Sequence, residues 1–194
     1  MTKLLFICHG NICRSPMAEY VMKDLVKKAG LEKEFQIDSA ATSGEELGNP
    51  VYPPARRTLA EHGVPCGDHR ARRLTKGDYD AYDLLVGMDR ANLRNMGRML
   101  GGDPEGKLHL LLEYAGRWNG APREPSEACH VGRGEARERL EFSPRAETEK
   151  SGLCFDEVAD PWYTGDFEAT WRDVLAGCRG LLSALTAEDG GAPR

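Results

Sequence analysis

Apolar residues follow two rhythms along this chain. The first is a continuous run, Leu4-Leu5-Phe6-Ile7, flanked by polar residues. Short runs of this kind suit a strand buried on both faces, here Lys3 to Ile7. The second begins at Met17, Val21 and Leu25, extended by the stem of Lys28, with Ala18, Met22, Val26 and Ala29 beside them. Steps of three and four residues predict a helix. It starts at Ser15-Pro16, with Ser as cap and Pro in the first turn, and stops at Gly30. The alternation then repeats. Phe35 to Ser39 is a second strand, and Ala40 to Pro54, rich in Ser, Gly, Asn and Pro, is a loop. Pro54 to His62, closed by Gly63, is a helix. Asp83 to Asp89 is a third strand, Arg90 to Leu100 a helix, and Lys107 to Leu112 a fourth strand. Phe167, Trp171, Val174, Cys178, Leu181 and Leu185 mark a final helix, capped by Thr164 or Asp166. Strands alternating with helices predict an α/β fold around a parallel sheet.

Composition narrows the picture. A length of 194 residues suits one core, so 1–194 is read as a single domain. The net charge of −5 argues against nucleic acid or a membrane surface as the main partner. No apolar stretch reaches transmembrane length, and the apolar N-terminal run is too short for a signal peptide, so a cytoplasmic protein is expected. The six cysteines contain no Cys-x-x-Cys pair. Neither a disulfide framework nor a zinc site is expected, and Cys129, His130 and Cys154 read as ordinary side chains. The stretch at about 116–155 is rich in Arg, Glu, Gly and Pro, with acidic and basic residues in balance. It reads as a solvated insertion with room for a short helix near Glu135 to Phe142, and about 187–194 as a short disordered tail.

The chemistry concentrates in Cys8-His9-Gly10-Asn11-Ile12-Cys13-Arg14-Ser15. These residues lie between the first strand and the first helix. A loop there turns its N–H groups inward and adds the positive potential of a helix N-terminus, which makes a cradle for an anion. A thiolate is the reactive form of cysteine, and a helix N-terminus with a nearby guanidinium stabilises it. Arg14 can grip two phosphate oxygens in a planar fork. Ser15 can donate to sulfur when it leaves. Together these groups suit phosphoryl transfer through a cysteinyl-phosphate. A second Cys-x5-Arg pattern, Cys66 to Arg72, has neither a preceding strand nor a following hydroxyl and is read as coincidence.

Ester cleavage also needs a proton for the leaving oxygen. The best candidate is Asp160, in Asp160-Pro161-Trp162-Tyr163. Pro161 holds the preceding backbone extended. The two aromatics would form a flat apolar wall beside the anion site, suited to a phosphoaryl ring.

The segment Cys8 to Glu19, together with Asp160-Pro161-Trp162-Tyr163, resembles the low-molecular-weight protein tyrosine phosphatase family. Asp38-Ser39-Ala40-Ala41-Thr42-Ser43-Gly44, Gly48-Asn49-Pro50, His62-Gly63 and His69-Arg70-Ala71-Arg72 are further matches, so the resemblance covers about 3–115 and 156–186. It implies a four-stranded parallel sheet of order 2-1-3-4 with helices on both faces, into which this chain would place its own insertion before the acid loop. It implies Cys8 as nucleophile, Arg14 as phosphate clamp, and Asp160 as acid and then base. His9, Gly10, Asn11, Ile12, Cys13 and Ser15 would form the phosphate loop, with Asn11, Ser15, Ser39 and His69 bonded in a supporting network. Asn suits such a turn because it tolerates positive φ. Neither metal nor other cofactor is implied. Cys13 matches a second loop cysteine that can bridge to Cys8 and protect it from over-oxidation. Phosphotyrosine-containing proteins would be the substrates.

Two departures stand out. The 116–155 insertion is absent from typical members. Glu45 also stands where many members carry a rim aromatic, a change that would favour a cationic or polar substrate surface. Three other readings are weighed. A protein-arginine phosphatase shares this fold and loop, but in that branch a Thr usually fills the position of Ile12. Arsenate reduction would need two cysteines after the third strand, and Met88 to Leu112 contains none. A non-catalytic phosphate-binding or redox-sensing module would need the acid disabled, yet Asp160 is present.

Overall fold

The computed structural model describes residues 1–117 and 157–188. Cys129, His130, Cys154, the helix expected near Glu135 to Phe142 and most of the insertion lie outside the described residues. Strands β1 (Thr2–Cys8), β2 (Phe35–Ala41), β3 (Leu84–Gly87) and β4 (Leu108–Leu110) form one parallel sheet of order β2-β1-β3-β4. Register places Leu4 opposite both Ile37 and Leu84. The helices are α1 (Arg14–Lys28), α2 (Pro53–Glu61), α3 (Lys76–Ala81), α4 (Arg90–Leu100), α5 (Pro161–Thr164) and α6 (Phe167–Glu188).

The unbroken apolar run of β1 has a direct cause. Leu4, Phe6 and Cys8 point into the larger core with Met17, Met22, Leu59, Val174 and Leu181 of α1, α2 and α6. Leu5 and Ile7 point the other way, toward Leu74, Tyr79 and Met96 around α3 and α4. A strand with both faces covered cannot alternate in polarity. Each fully buried Leu, Ile or Phe there contributes about 2 kcal/mol to folding. The expected order 2-1-3-4 and the helices on both faces are therefore present. Because β1 is central, its C-terminal end lies at a switch point where connections leave to both sides of the sheet. That crevice is the place for a ligand in an open α/β sheet.

Several boundaries differ from the sequence reading. Helix α1 starts at Arg14, with Cys13 at the cap position, so Ser15 is not the cap but a first-turn residue facing inward. The Lys28 stem is not part of the buried face, since its ammonium pairs with Asp24 at 2.6 Å in solvent. Strand β2 runs two residues further, because Ala40 and Ala41 pair with Ile7 and Cys8. The fourth strand is shorter, and its chain turns into a 3-10 segment at Leu111–Glu113. Helix α3 was not expected. At six residues it is too short to show a helical rhythm, and its signal was Thr75 three residues before Asp78, whose carboxylate accepts from Thr75 N–H at 2.7 Å. Asp166, not Thr164, caps α6, accepting from Ala169 N–H at 2.8 Å. That helix continues to Glu188, past the expected start of the tail at about 187.

Helix α6 presses its backbone onto the chain that follows β4. A Cβ on Gly180 would fall inside the carbonyl group of Tyr114, and one on Gly177 would crowd Leu111. Since the Tyr114 obstacle is backbone, no rotamer change relieves it. Gly180→Ala should therefore cost about 2 kcal/mol. Scanning calorimetry should show a melting point lower by roughly 4–8 °C, and an unchanged value would refute this close approach.

Candidate active site

Strand β1 ends at Cys8, and six residues later, at Arg14, α1 begins. Between them Asn11 adopts φ 58, the sole positive φ outside glycine among the described residues. This left-handed step turns the chain sharply and brings Asn11 N–H to 3.2 Å from Cys8 Sγ. Ser15 Oγ lies 3.0 Å from the same sulfur. Because Ser15 Oγ already accepts from Asn11 Nδ2 at 2.9 Å, its own proton is available to the sulfur.

The Asn11 side chain is a hub. Nδ2 also donates to Ser39 Oγ (2.8 Å), and Oδ1 accepts from Arg72 N–H (3.1 Å). His69 Nε2 donates to the Asn11 carbonyl at 2.8 Å, which makes Nε2 the protonated nitrogen of that ring. Ser39 Oγ in turn donates to Glu19 Oε2 at 2.5 Å. Ser15, Ser39 and His69 thus stand behind the loop and do not line the pocket.

Arg14 is 4% exposed. Its Nη1 donates to Asp89 Oδ2 and its Nη2 meets Asp160 Oδ2, both at 2.6 Å. Burial alone would pull its pKa down, but the charges of Cys8, Asp160 and Asp89 hold it above the ordinary value. The neighbouring thiol behaves differently. Burial, reinforced by the charges of Cys8 and Asp160 against the opposing pull of Arg14, pushes Cys13 up to about 12. It is therefore a neutral thiol at physiological pH, packed with Ile12 and Ala71. Cys8 and Cys13 are both free.

Asp160 arrives from the other end of the chain and is held by backbone ties. Val158 N–H donates to Met88 O (2.8 Å), Ala159 N–H to Asp173 Oδ2 (3.0 Å), and Thr170 Oγ1 to Ala159 O (2.9 Å). Pro161 keeps Asp160 extended, at φ −89 and ψ 105, and Asp160 Oδ1 caps α5 by accepting from Trp162 N–H. Trp162 and Tyr163 are not core residues, being 58% and 85% exposed. Tyr52 packs against Trp162, with ring centroids 5.7 Å apart.

These parts enclose a pocket of about 180 Å³ lined by Cys8, His9, Gly10, Ile12, Cys13, Arg14, Glu45, Glu46, Asp160, Trp162 and Tyr163. The Cys8 thiol, the Arg14 guanidinium, the Asp160 carboxylate and two aromatic rings converge there. Cys66 and Arg72 share no site. Cys66 lies beside Tyr20, and Arg72 grips Asp78 at 3.0 and 3.2 Å.

Four participants escaped the sequence reading: Glu19, Asp89, Glu46 and the Arg72 backbone. Glu19 left a signal, because a carboxylate in line with Ser15, Met22 and Val26 breaks an otherwise inward stripe. Asp89 was read as the end of a strand, although it immediately precedes a helix and caps it through Asn92 N–H. Glu46 and the Arg72 N–H reach the site only through loop folding.

If Asn11 is the hub, Asn11→Ala removes two donations, leaves Arg72 N–H unpaired and puts a Cβ residue without compensation at positive φ. The expected loss is about 3 kcal/mol, read as a melting point lower by roughly 6–12 °C. A shift under about 2 °C would show that the turn stands without it.

A model of the low molecular weight phosphotyrosine protein phosphatase family matches residues 3–127. The low molecular weight protein-tyrosine-phosphatase YfkJ of Bacillus subtilis is 31% identical over 188 residues, 97% of this chain and 98% of that protein. Its crystal structure aligns with a TM-score of 0.74 over 97% of this chain and 96% of that one. The human low molecular weight phosphotyrosine protein phosphatase is 44% identical over 95 residues, which are 49% of this chain and 60% of the human protein. The crystal structure of DARP, a Drosophila arginine phosphatase, aligns with a TM-score of 0.69 at 25% identity, over 95% of this chain and 98% of that one. With the family match extending from β1 through the Cys8–Ser15 loop and beyond β4, the chain belongs to the low molecular weight phosphotyrosine protein phosphatase family of hydrolases.

Proposed function

We propose that this protein hydrolyses phosphotyrosine in protein substrates, with Cys8 as nucleophile, Arg14 as phosphate clamp and Asp160 as proton carrier. One observation carries the assignment. Arg14, buried behind the pocket, meets Asp160 at 2.6 Å, in a pocket that Cys8 also lines. The ion pair gives the acid a reason to be there and gives an incoming phosphate a partner to displace.

The steps follow from this arrangement. Phosphate oxygens take the Arg14 fork and the loop N–H groups, which frees Asp160 Oδ2 to face the ester oxygen. The Cys8 thiolate forms an S–P bond as the P–O ester bond breaks, and Asp160, which takes up a proton from solvent once phosphate displaces it from Arg14, gives that proton to the leaving phenolate. A water molecule then attacks phosphorus and passes a proton to Asp160 as the S–P bond breaks. The departing thiolate is received by Ser15 O–H and Asn11 N–H, the groups already within 3.0 and 3.2 Å of sulfur. Inorganic phosphate leaves, and Cys8 and Asp160 are restored. Trp162 and Tyr163 supply the faces on which a tyrosine ring would lie. Asp89 holds the far side of the guanidinium so that the fork keeps its plane.

A second reading, phosphoarginine as substrate, is favoured by the likeness to the Drosophila arginine phosphatase and by the carboxylates Glu45 and Glu46 on the pocket wall. Against it, Ile12 presents an alkyl chain to the pocket where a hydroxyl would orient water. Phosphate release from phosphotyrosine and phosphoarginine peptides, without added metal, decides between them. Faster release from phosphotyrosine supports the first reading, and release from phosphoarginine alone would replace it. Release from neither would leave only a binding or redox module.

Cys8→Ser should abolish turnover while inorganic phosphate still binds, as titration calorimetry can show. Asp160→Asn should lower kcat by about 100-fold on phenyl phosphate, and far less on a nitrophenyl ester whose leaving group needs little protonation. Equal losses on both esters would remove Asp160 from the acid role.

A further inference from the structure

The pocket wall carries three carboxylates, Glu45, Glu46 and Asp160, against one guanidinium, Arg14. That guanidinium is already shared between Asp89 and Asp160. For a pocket that must admit a phosphate dianion, this charge balance is adverse. The Asp160 carboxylate serves the proton transfers. Glu45 and Glu46 have no such task.

Their positions are held from several sides. Ser43 N–H donates to His9 O at 2.9 Å, and Glu45 N–H donates to Ser43 Oγ at 3.1 Å. Glu46 rests its stem on the phosphate loop, since a Cβ on Gly10 would lie only 3.2 Å from Glu46 Cγ. Asn49 Nδ2 donates to Glu46 Oε2 at 2.7 Å, and Asn49 N–H donates to Glu46 O at 3.0 Å. Asn49 is neutral, so these bonds place no cation against Glu46. Glu45 Oε2 lies 3.3 Å from His9 Nε2, an exposed pair that is an ion pair only when the ring is protonated. Beside these carboxylates the wall offers the exposed faces of Trp162 and Tyr163.

Resting on the phosphotyrosine reading above, we propose that Glu45 and Glu46 select substrates in which a basic residue flanks the phosphotyrosine. An arginine or lysine beside the phosphotyrosine would place its cation against the two carboxylates while the phosphate occupies the loop. The arginine fork matches a carboxylate in two parallel hydrogen bonds, and the cation offsets the repulsion that the rim exerts on the phosphate. A substrate flanked by acidic residues would meet that repulsion twice. Since the rim is solvated, the preference should weaken as salt rises.

The test compares two phosphotyrosine peptides, identical except for arginine or glutamate on either side of the phosphorylated residue. Phenyl phosphate is assayed in parallel. At low ionic strength kcat/KM for the arginine peptide should exceed that for the glutamate peptide by about 10-fold or more, and the ratio should shrink in high salt. The Glu45→Gln, Glu46→Gln double variant should bring the ratio close to one. Reversing both charges with Glu45→Lys and Glu46→Lys should invert it. Equal rates on the two peptides, with phenyl phosphate still hydrolysed, would overturn the selectivity and leave the phosphatase reading standing. A ratio unchanged in the double variant would assign the preference elsewhere and overturn the role of these two residues. Failure on phenyl phosphate itself would instead remove the phosphotyrosine reading and the selectivity with it.

Discussion

Asn11 takes a left-handed backbone step, and its amide answers for that step with hydrogen bonds to Ser15, Ser39 and the Arg72 N–H. A positive φ disfavours any residue with a Cβ, and asparagine is among those that bear it best. The turn converts a strand end into an anion cradle, because it aims a backbone N–H back at Cys8 Sγ while α1 starts beneath it. Everything behind the loop serves that geometry. His69 holds the Asn11 carbonyl, and Glu19 anchors Ser39. None of these groups lines the pocket, yet each steadies the loop that does. This is how a precise site is held on a loop: its supports stand on a strand and a helix of the core.

Charge is distributed with the same economy. Arg14 is buried between two carboxylates and keeps its proton, because the charges around it overcome the cost of burial. Five residues beyond Cys8, and within the same electrostatic field, Cys13 is held as a neutral thiol by burial and by surrounding negative charge. Two cysteines in one short loop thereby have different surroundings: Cys8 has two donors within reach of its sulfur, and Cys13 packs against Ile12 and Ala71 as a neutral thiol. The pairing of Arg14 with Asp160 also joins residues far apart in the chain, so the Cys8–Ser15 loop and the Asp160 segment meet in one contact.

Glu45 and Glu46 set two carboxylates on the wall of the pocket that Arg14 lines. The loop from Ser43 to Asn49 is held by hydrogen bonds to the phosphate loop and to Ala71, so the carboxylates are part of the built pocket and not stray surface charge.

Much of this was legible before any fold was known. The apolar run of β1 could only be a strand covered on both faces, and the residues from Cys8 to Ser15 carried a thiol, a guanidinium and the turn-tolerant asparagine in a row. Local chemistry determines such features, because neighbours in the chain share one loop. The 3.6-residue rhythm of α6 and the restriction that Pro161 puts on Asp160 are local in the same way. The tertiary structure decided the rest. It placed Ser15 inside the helix and not at its cap, and brought Asp89 to the far side of Arg14 and Glu19 beneath Ser39. It also set Glu46 on Gly10 and the Arg72 N–H on Asn11. Each of these pairs joins different elements and spans more of the chain than any turn or helical repeat. Only the packing of strands and helices brings such residues within hydrogen-bond reach, and a sequence read one segment at a time does not contain that distance.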